Sequence, residues 1–190
     1  MIYLVPSIKE PYSRQLEISV DIKLIKMLTK FYKSEVIVLS EFKNLSKKSR
    51  LLVISGGNTI KKFSKKKPDI IRDRIDTFYF KQALSKKIPI LGICHGAHFI
   101  AHKFASNLIK VQGHVGSHYI TYKNKKRFLV NSFHNIGINK LGKSLIKNSE
   151  ANDRTIESYV HKKLKIKGII WHPERHRFLK AIDKIELKNL

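Results

Sequence analysis

The stretch IPILGICHGAHFIA, residues 88–101, determines how the chain folds and contains its only cysteine, Cys94. Residues 88–93 are apolar and rich in isoleucine, which is typical of a buried strand in a parallel sheet. Residues 96–105 have the pattern of a helix leaving that strand. The stretch therefore places Cys94 at a strand-to-helix junction, where it is either a small buried apolar side chain or a thiol turned into a cleft.

The two glycines around this cysteine favour the second interpretation, a thiol turned into a cleft. Gly92, Cys94 and Gly96 form the pattern G-x-C-x-G, the cysteine version of a nucleophile elbow. The sharp turn strains the backbone of the central residue, and side chains two positions away on either side would collide unless they are glycine. The turn also aims the thiol at a helix N-terminus, which favours a thiolate. A tight connection around a buried structural cysteine is the alternative interpretation.

Strand-like and helix-like segments alternate before this junction. Residues 2–7, 35–40 and 51–57 are short apolar runs, whereas residues 21–32 and 69–86 have apolar positions at helical spacing. Such alternation predicts an α/β fold with a mostly parallel central sheet and helices on both faces.

The last third of the chain changes to short strand-like runs separated by turn residues, which predict a small antiparallel C-terminal addition to the sheet. These runs span residues 118–123, 127–133, 155–161 and 165–172. A closing helix is predicted at residues 175–187. Since no repeat, linker or break in composition divides the sequence, we predict one domain over residues 1–190.

The charge of the chain is strongly positive, with 39 Lys and Arg against 14 Asp and Glu and a formal net charge of +25. The lysines lie in short clusters between apolar runs, which favours solvated loops; an anionic substrate or acidic partner comes second and nucleic acid third. Because the sequence contains no known nucleic-acid-binding motif, we expect no nucleic-acid partner.

The apolar runs are too short to span a bilayer, and the N-terminus does not have the pattern of a signal peptide. One cysteine excludes an intrachain disulfide and fits a reducing compartment. We therefore expect a cytoplasmic protein without a membrane partner.

A thiol nucleophile needs a base, and the base needs an orienting group. His172 and Glu174 follow a strand-like run in the stretch GIIWHPERH, residues 168–176. Residues two apart on an extended segment point the same way, so Glu174 can accept a hydrogen bond from one imidazole nitrogen while the other faces Cys94.

Together these motifs resemble the class I glutamine amidotransferases, and within them the γ-glutamyl hydrolases of peptidase family C26. Five blocks occur in the family's order between about residues 51 and 176: LLVISGGNTI, RDRIDTFYFKQALSKKIPILGICHGAHFIA, QGHVGSHYI, VNSFHNIGI and GIIWHPERH. The first 50 residues agree only in their strand and helix pattern. The resemblance implies a flavodoxin-like α/β fold and cleavage of a γ-glutamyl amide.

The resemblance also implies roles for individual residues. Cys94 would attack a γ-glutamyl carbonyl, His172 would transfer the proton and Glu174 would orient His172. The backbone N–H groups of Gly57 and His95 would form the oxyanion hole. Arg72 and Asp73 match an Arg-Asp pair of the family for which a structural role is expected.

Four further residues match blocks that line the family's pocket, and a fifth, His98, stands at a position that helps to hold the substrate in the family. The five are predicted as substrate contacts: His98, His114, His118, Ser132 and His134. The sequence also departs from the family. His98 stands where many amidotransferases have a glutamine, Thr59 where an aspartate is common, and the block after Phe133 lacks its glutamine. These departures argue against plain glutamine as the substrate.

Two functions share this triad: a free-standing hydrolase that forms a γ-glutamyl thioester and releases glutamate, and a glutaminase subunit that passes ammonia to a separate synthetase. A binding or chaperone-like protein is a third alternative. The chain contains no synthetase domain, which favours the hydrolase. The charge further favours an anionic conjugate, as used by the γ-glutamyl-CDP-amidate hydrolases of bacterial capsule modification, over a cationic γ-glutamyl polyamine.

We predict no cofactor and no metal, because the histidines lack ligand spacing with cysteine or carboxylate partners and the chemistry requires neither. The expected partner is a small γ-glutamyl substrate. A synthetase and a second copy of the chain are the protein partners that the sequence leaves open.

Overall fold

The computed structural model describes residues 1–188 and residue 190. Within them an eleven-stranded sheet has the order β4-β1-β5-β6-β13-β12-β11-β8-β9, with β10 paired to β12 and β7. The strands are β1 (Ile2–Val5), β2 (Ser7–Tyr12), β3 (Gln15–Ser19), β4 (Val36–Val38), β5 (Leu51–Ile54), β6 (Ile90–Ile93), β7 (Asn107–Lys110), β8 (Val115–Tyr122), β9 (Arg127–Phe133), β10 (Ile136–Lys140), β11 (Leu145–Ala151), β12 (Ile156–His161) and β13 (Ile166–Ile169).

Four α-helices accompany the strands in the described part of the chain: α1 (Ile22–Tyr32), α2 (Lys67–Ser85), α3 (His95–Lys103) and α4 (Ala181–Leu187). Two short 3₁₀ turns span Lys61–Phe63 and Pro173–Arg175. Among the described residues, no helix combines the length and the apolar character needed to cross a membrane.

The core lies on both faces of the parallel strands. Successive side chains of a strand point to opposite faces, and in β5 Leu52 and Ile54 join one apolar cluster while Leu51 and Val53 join the other. Helices α2 and α3 contribute to the first cluster, and helices α1 and α4 contribute to the second. The predicted α/β architecture with helices on both faces is therefore present.

The parallel register brings three strand ends together. Strand β6 lies between β5 and β13 and pairs in parallel with both; Ile93 at its end lies opposite Ile169 of β13. Because parallel strands end at the same edge, the segments after β5, β6 and β13 are neighbours there. These are the segments that carry Gly57, Cys94 and His172.

Two details of the strand prediction differ from the structure. The run at residues 165–172 is predicted among the antiparallel additions, but β13 pairs in parallel with β6 and belongs to the central sheet. Residues 7–19 form a separate hairpin of β2 and β3, which the sequence did not predict. The apolar side chains of β3, Leu16 and Ile18, are 41% and 46% exposed, so they do not belong to the buried core.

The closing helix is also shorter than predicted, since α4 begins at Ala181 and not at residue 175. The chain first forms the 3₁₀ turn Pro173–Arg175, which carries Glu174 back toward His172. The helix begins where the Asp183 carboxylate accepts a hydrogen bond from the Lys180 backbone N–H at 2.7 Å. The turn that positions Glu174 therefore delays the start of the helix.

Candidate active site

Cys94 occupies a strained turn between β6 and α3. Its backbone has φ +50° and ψ −104°, a combination that non-glycine residues rarely adopt. The turn is held by hydrogen bonds on both sides, because the Cys94 N–H donates to the Ile169 carbonyl at 2.8 Å and the Cys94 carbonyl accepts from the His98 N–H at 3.0 Å. The elbow geometry predicted from G-x-C-x-G is thus present.

The flanking glycines allow the elbow to pack. A Cβ at Gly92 would lie 2.6 Å from the backbone nitrogen of Ala97, and one at Gly96 would lie 2.0 Å from the carbonyl oxygen of Ile54 in β5. Both approaches are closer than any side chain tolerates, and both involve backbone atoms. Glycine at these two positions is therefore required for α3 to lie directly against β5 and β6.

His172 lies beside Cys94 and is oriented by Glu174. The His172 Nδ1 donates to Glu174 Oε1 at 2.6 Å, and both side chains are almost fully buried. A Cβ at Gly56 would lie 2.7 Å from His172 Cε1 and 3.3 Å from Cys94 Cβ, so this glycine leaves room for the ring next to the thiol. The structure brings together the three residues that the sequence suggested as a triad.

The electrostatics of this triad favour a protonated imidazole. Burial alone would lower the pKa of His172, but hydrogen bonds with Cys94 and Glu174, together with the attraction of both groups, raise that pKa to about 9. At neutral pH His172 therefore holds a proton, and its positive charge can stabilise negative charge that develops on the Cys94 sulfur during a reaction.

Asn131 in β9 holds the backbone of His172, a role that the sequence did not reveal. Its side-chain amide donates to the His172 carbonyl at 2.8 Å and accepts from the His172 N–H at 2.8 Å. The ring of Phe133 packs edge-on against the His172 ring at 5.6 Å between centroids. Neither residue type is distinctive in a sequence, so only the fold identifies them as positioning residues.

The predicted oxyanion donors line the same cavity as Cys94. Gly57 follows β5 with φ +117°, which favours glycine, and His95 is the first residue of α3. The first N–H groups of a helix have no carbonyl partner within the helix. Both backbone N–H groups therefore suit the role of oxyanion donors that the family resemblance implies for them.

The side chain of His95 belongs to a buried network behind the elbow. Its Nδ1 contacts the Asn58 carbonyl and its Nε2 contacts the Asp76 carboxylate, both at 2.8 Å. Asp76 also pairs with Arg72 at 2.8 Å, and Arg72 donates further to backbone carbonyls at the ends of β1 and β5. Arg72 thus ties helix α2 to the sheet, in line with the structural role expected for it, and does not line the cavity.

A cavity of about 240 Å³ opens in front of the thiol. It is lined by Gly57, Asn58, Thr59, Ile60, Cys94, His95, His98, Phe133, His134, Asn135, Ile136, His172 and Arg175. Of the five weakly predicted substrate contacts, only His98 and His134 are in this lining. Burial lowers the pKa of His98 to about 3, with a smaller contribution from His134, so His98 is a neutral ring at physiological pH.

The other three weakly predicted contacts do not line the cavity, and the structure explains why. Ser132 is fully buried and its hydroxyl donates to the His114 carbonyl at 2.5 Å. His114 and His118 turn away from Cys94 toward the carboxylate of Glu157 in β12, which His134 also approaches. This histidine cluster comprises His114, His118, His134 and Glu157. Three of its members, His114, His134 and Glu157, have ligand atoms close enough together to hold a metal ion.

The raised pKa of His172 leads to a testable pH dependence. In an NMR titration of the histidine rings, we expect His172 to lose its proton as pH rises through about 9, well above the ordinary 6.5. Glu174→Gln removes the charge that supports the imidazolium, so burial should move the midpoint downward. The part of the folding stability that comes from this proton is complete below pH 6.5 and disappears as pH rises to about 9. A midpoint near 6.5 in both proteins would contradict this assignment.

Comparisons with known proteins show the family of the chain. The family model for "Glutamine amidotransferase class-I" matches residues 12–181. The chain is 40% identical over 164 residues to a γ-glutamyl-CDP-amidate hydrolase of Campylobacter jejuni, covering 84% of this chain and 78% of the relative. It is also 30% identical over 102 residues to the small chain of the arginine-specific carbamoyl phosphate synthase of Bacillus subtilis, covering 50% of this chain and 29% of that one.

The crystal structure of a glutamine amidotransferase from Thermotoga maritima superimposes with a TM-score of 0.69 and 16% identity, covering 91% of this chain and 75% of that one. This likeness concerns the fold, including the parallel sheet that carries the elbow. The family match covers most of the chain and includes the elbow, the glycine turn after β5 and the His172–Glu174 pair. The chain belongs to the class I glutamine amidotransferase family.

Proposed function

We propose that this chain is a free-standing, cysteine-dependent hydrolase that cleaves a γ-glutamyl amide bond and releases glutamate. The observation that carries the proposal is the buried arrangement of Cys94, His172 and Glu174 at the mouth of a cavity, with the His172 imidazolium beside the thiol. The similarity to a hydrolase of a γ-glutamyl amidate supports the same reaction class. We propose that residues 1–190 act as one domain in this reaction.

In the first half of the reaction, the thiolate sulfur of Cys94 attacks the γ-carbonyl carbon. A C–S bond forms, and the carbonyl oxygen takes up the negative charge while the N–H groups of Gly57 and His95 donate to it. The C–N bond then breaks as His172 gives its proton to the leaving nitrogen. The products of this half are a γ-glutamyl thioester on Cys94 and the released amine or amidate.

In the second half, water replaces the leaving group. His172, now neutral, accepts a proton from the water as its oxygen attacks the thioester carbonyl. The C–S bond breaks, glutamate leaves, and the sulfur returns to a thiolate beside the reprotonated His172. Glu174 keeps the ring oriented through both steps, since its carboxylate holds Nδ1 at 2.6 Å.

We further propose that the substrate is an anionic conjugate, such as a nucleoside diphosphate amidate. The net charge of +25 attracts anions, and Arg175 lies at the cavity beside Cys94. Lys9 and Arg175 also line a second cleft that shares His172 with the first. The name of the Campylobacter jejuni relative supports this substrate class. A role in surface polysaccharide modification, which the family resemblance suggests, is part of the same proposal.

The experiment that tests this proposal compares three substrates in a glutamate-release assay: a γ-glutamyl cytidine diphosphate amidate, γ-glutamyl-putrescine and glutamine. We expect kcat/KM to be highest for the anionic conjugate, by about tenfold or more, because the charged cavity favours it. A clear preference for the cationic γ-glutamyl-putrescine would overturn the substrate class but not the hydrolysis. Equal turnover of all three would also contradict it.

Arg175 offers a sharper test of the anionic substrate. The Arg175 side chain is 37% exposed, and its guanidinium lies 4.5 Å from the centre of the Phe133 ring. Its Nε lies 3.6 Å from the Asp21 carboxylate, so an aromatic and an acidic neighbour hold the guanidinium beside the cavity. Arg175→Gln should raise KM for the anionic conjugate by about fivefold and leave KM for glutamine nearly unchanged. Arg177→Gln is the matched control, since Arg177 carries the same charge and is also exposed but is absent from the cavity lining. Equal effects of the two variants would refute a specific contact.

A second candidate function is a glutaminase subunit that delivers ammonia to a separate synthetase. It is favoured by the similarity to a carbamoyl phosphate synthase small chain, although that match covers only half of this chain. The same assay distinguishes the two functions. Glutamate release by the purified chain alone supports the hydrolase, whereas release that depends on an added partner protein supports the subunit.

A further inference from the structure

The histidine cluster lies apart from the triad and has no part in the proposed reaction. His114 precedes β8, His118 lies within β8, and His134 follows β9. All three rings face the side chain of Glu157 in β12, and this glutamate is only 1% exposed. His114 Nδ1 lies 3.5 Å from Glu157 Oε1, His134 Nε2 lies 3.6 Å from the same oxygen, and His118 Nε2 lies 3.5 Å from Oε2.

The outer hydrogen bonds of two rings fix where their protons are. His114 Nε2 lies 2.9 Å from an Asp153 carboxylate oxygen, and His134 Nδ1 lies 2.8 Å from the Ile136 carbonyl. Both partners accept hydrogen bonds, so these nitrogens carry the ring protons. The opposite nitrogens, His114 Nδ1 and His134 Nε2, therefore direct lone pairs at Glu157 when the rings are neutral. Lone pairs facing a carboxylate repel unless a proton or a metal ion lies between them. The Glu157 and Asp153 carboxylates raise the pKa of His114 to about 9, so a proton on His114 satisfies one of these contacts.

The inward-facing atoms are unpartnered among the residues that the structure describes. His114 Nδ1, His134 Nε2, His118 Nε2 and both carboxylate oxygens of Glu157 are buried without a hydrogen bond. Buried polar groups are almost always satisfied, because leaving one unpaired costs about 1–3 kcal/mol. Five such atoms lie in or around one carboxylate, and a bound cation would satisfy several of them together.

We propose that His114, His118, His134 and Glu157 form a binding site for a divalent transition metal of the zinc class. Zinc takes imidazole nitrogens and carboxylate oxygens at about 2.0–2.2 Å in tetrahedral geometry, which separates neighbouring ligand atoms by about 3.3–3.5 Å. The separations of 3.5 and 3.6 Å between the nitrogens and the Glu157 oxygens are close to that edge length. The ligand atoms of His114, His134 and Glu157 lie within 4.8 Å of one another, and His118 faces the second oxygen of Glu157 as the fourth ligand. In many metal sites a carboxylate accepts a hydrogen bond from the outer nitrogen of a metal-bound histidine and so orients its ring. The hydrogen bond between His114 and Asp153 is a contact of this kind.

The sequence prediction of no metal relied on the spacing of histidines along the chain. The three histidines are spread over residues 114–134, and the carboxylate comes at residue 157. The antiparallel pairing of β8 with β9 and β11, and of β11 with β12, gathers them in space. The short-range spacing of a zinc finger is thus absent from the sequence, and the sheet supplies the proximity instead.

The proposed metal site adjoins the cavity in front of Cys94, because the two share His134. His134 lines the cavity in front of Cys94, and its ring lies 5.6 Å from that of His98. A metal on His134 Nε2 would fix this ring and therefore part of the cavity wall. The site would also tie β8, β9 and β12 together.

Metal binding can be measured without any substrate, so its outcome is independent of the proposed reaction. The protein is stripped with a chelator, dialysed against zinc and analysed for bound metal by mass spectrometry. We expect one zinc per chain and a higher melting temperature with zinc than without it. The Cys94→Ala protein should bind the same amount, whereas a metal held by Cys94 and His172 would be lost in it.

Variants of the cluster locate the site. Glu157→Gln and His118→Asn should abolish stoichiometric binding, and Asp153→Asn, which leaves all four ligands, should weaken binding by about 10–100-fold. His102→Asn, a histidine outside the cluster, is the matched control and should bind like the parent. Circular dichroism shows whether each variant is folded, and the partly exposed His118 and Asp153 offer the substitutions with the least risk to folding.

Two outcomes would overturn the proposal. The first is a folded parent protein that holds no zinc after reconstitution; a proton shared between His114 and Glu157 would then be the cation that stabilises the cluster. The second is zinc binding that is unchanged in Glu157→Gln, His118→Asn and Asp153→Asn, which would place the metal elsewhere.

Discussion

Cys94→Ala should reduce glutamate release from a γ-glutamyl amide by about 10⁴-fold or more, while the protein stays folded. Loss of the nucleophile in enzymes with such triads has effects of this size, since the remaining groups cannot form the covalent intermediate. The substitution keeps the Cβ and removes only the sulfur, so the packing around the elbow is retained. The measurement is kcat on the best substrate, with substrate binding and circular dichroism recorded on the same preparation.

The single cysteine makes a chemical control available. Alkylation of the parent protein with iodoacetamide can modify only one thiol, Cys94, and should abolish glutamate release to the same extent. If the alanine variant cleaves as fast as the parent, the proposed mechanism is wrong. If it loses activity only because it fails to fold, its circular dichroism spectrum will differ from that of the alkylated parent.

Gly96→Ala should destabilise the protein by more than about 4 kcal/mol, or prevent folding altogether, an effect seen only where a specific structural feature is destroyed. The new methyl group would lie 2.0 Å from the carbonyl oxygen of Ile54, an atom of the central strand β5. Neither α3 nor β5 can move without breaking the core, because both contribute buried side chains to the same apolar cluster. The measurement is the free energy of unfolding in urea.

Gly113→Ala is the matched control for this experiment. Gly113 has φ +76°, and no atom lies within 4 Å of the place that an added Cβ would occupy, so alanine there meets only backbone strain. The cost should be about 1–2 kcal/mol. Similar destabilisation by the two variants would mean that the close packing of α3 on β5 does not determine stability.

The elbow could be predicted from sequence because its requirements are local. Gly92 and Gly96 are fixed by backbone contacts within a few residues and to the adjacent strand, and the pattern G-x-C-x-G reports this directly. The pair His172 and Glu174 could be predicted because the two residues are close in the chain, although the 3₁₀ turn Pro173–Arg175, and not an extended segment, brings the Glu174 carboxylate to His172. The family match from residue 12 to residue 181 extends the resemblance beyond the blocks that suggested it.

The rest of the site depends on contacts between distant segments. Asn131 holds the backbone of His172 across 41 positions, and nothing in the local sequence marks it for that role. The sequence places His134, which lines the cavity, in one group with His114 and His118, which face Glu157. All three lie near the same edge, and only the strand pairing decides which ring reaches the cavity.

The most direct test of the central claim is to trap the γ-glutamyl thioester. The parent protein is mixed with its best γ-glutamyl substrate, quenched in acid within the first turnover and examined by intact-protein and peptide mass spectrometry. We expect the peptide containing Cys94 to gain the mass of one γ-glutamyl group and the Cys94→Ala protein to gain none. Rapid glutamate release without any adduct on Cys94, or an adduct that persists in Cys94→Ala, would contradict that claim.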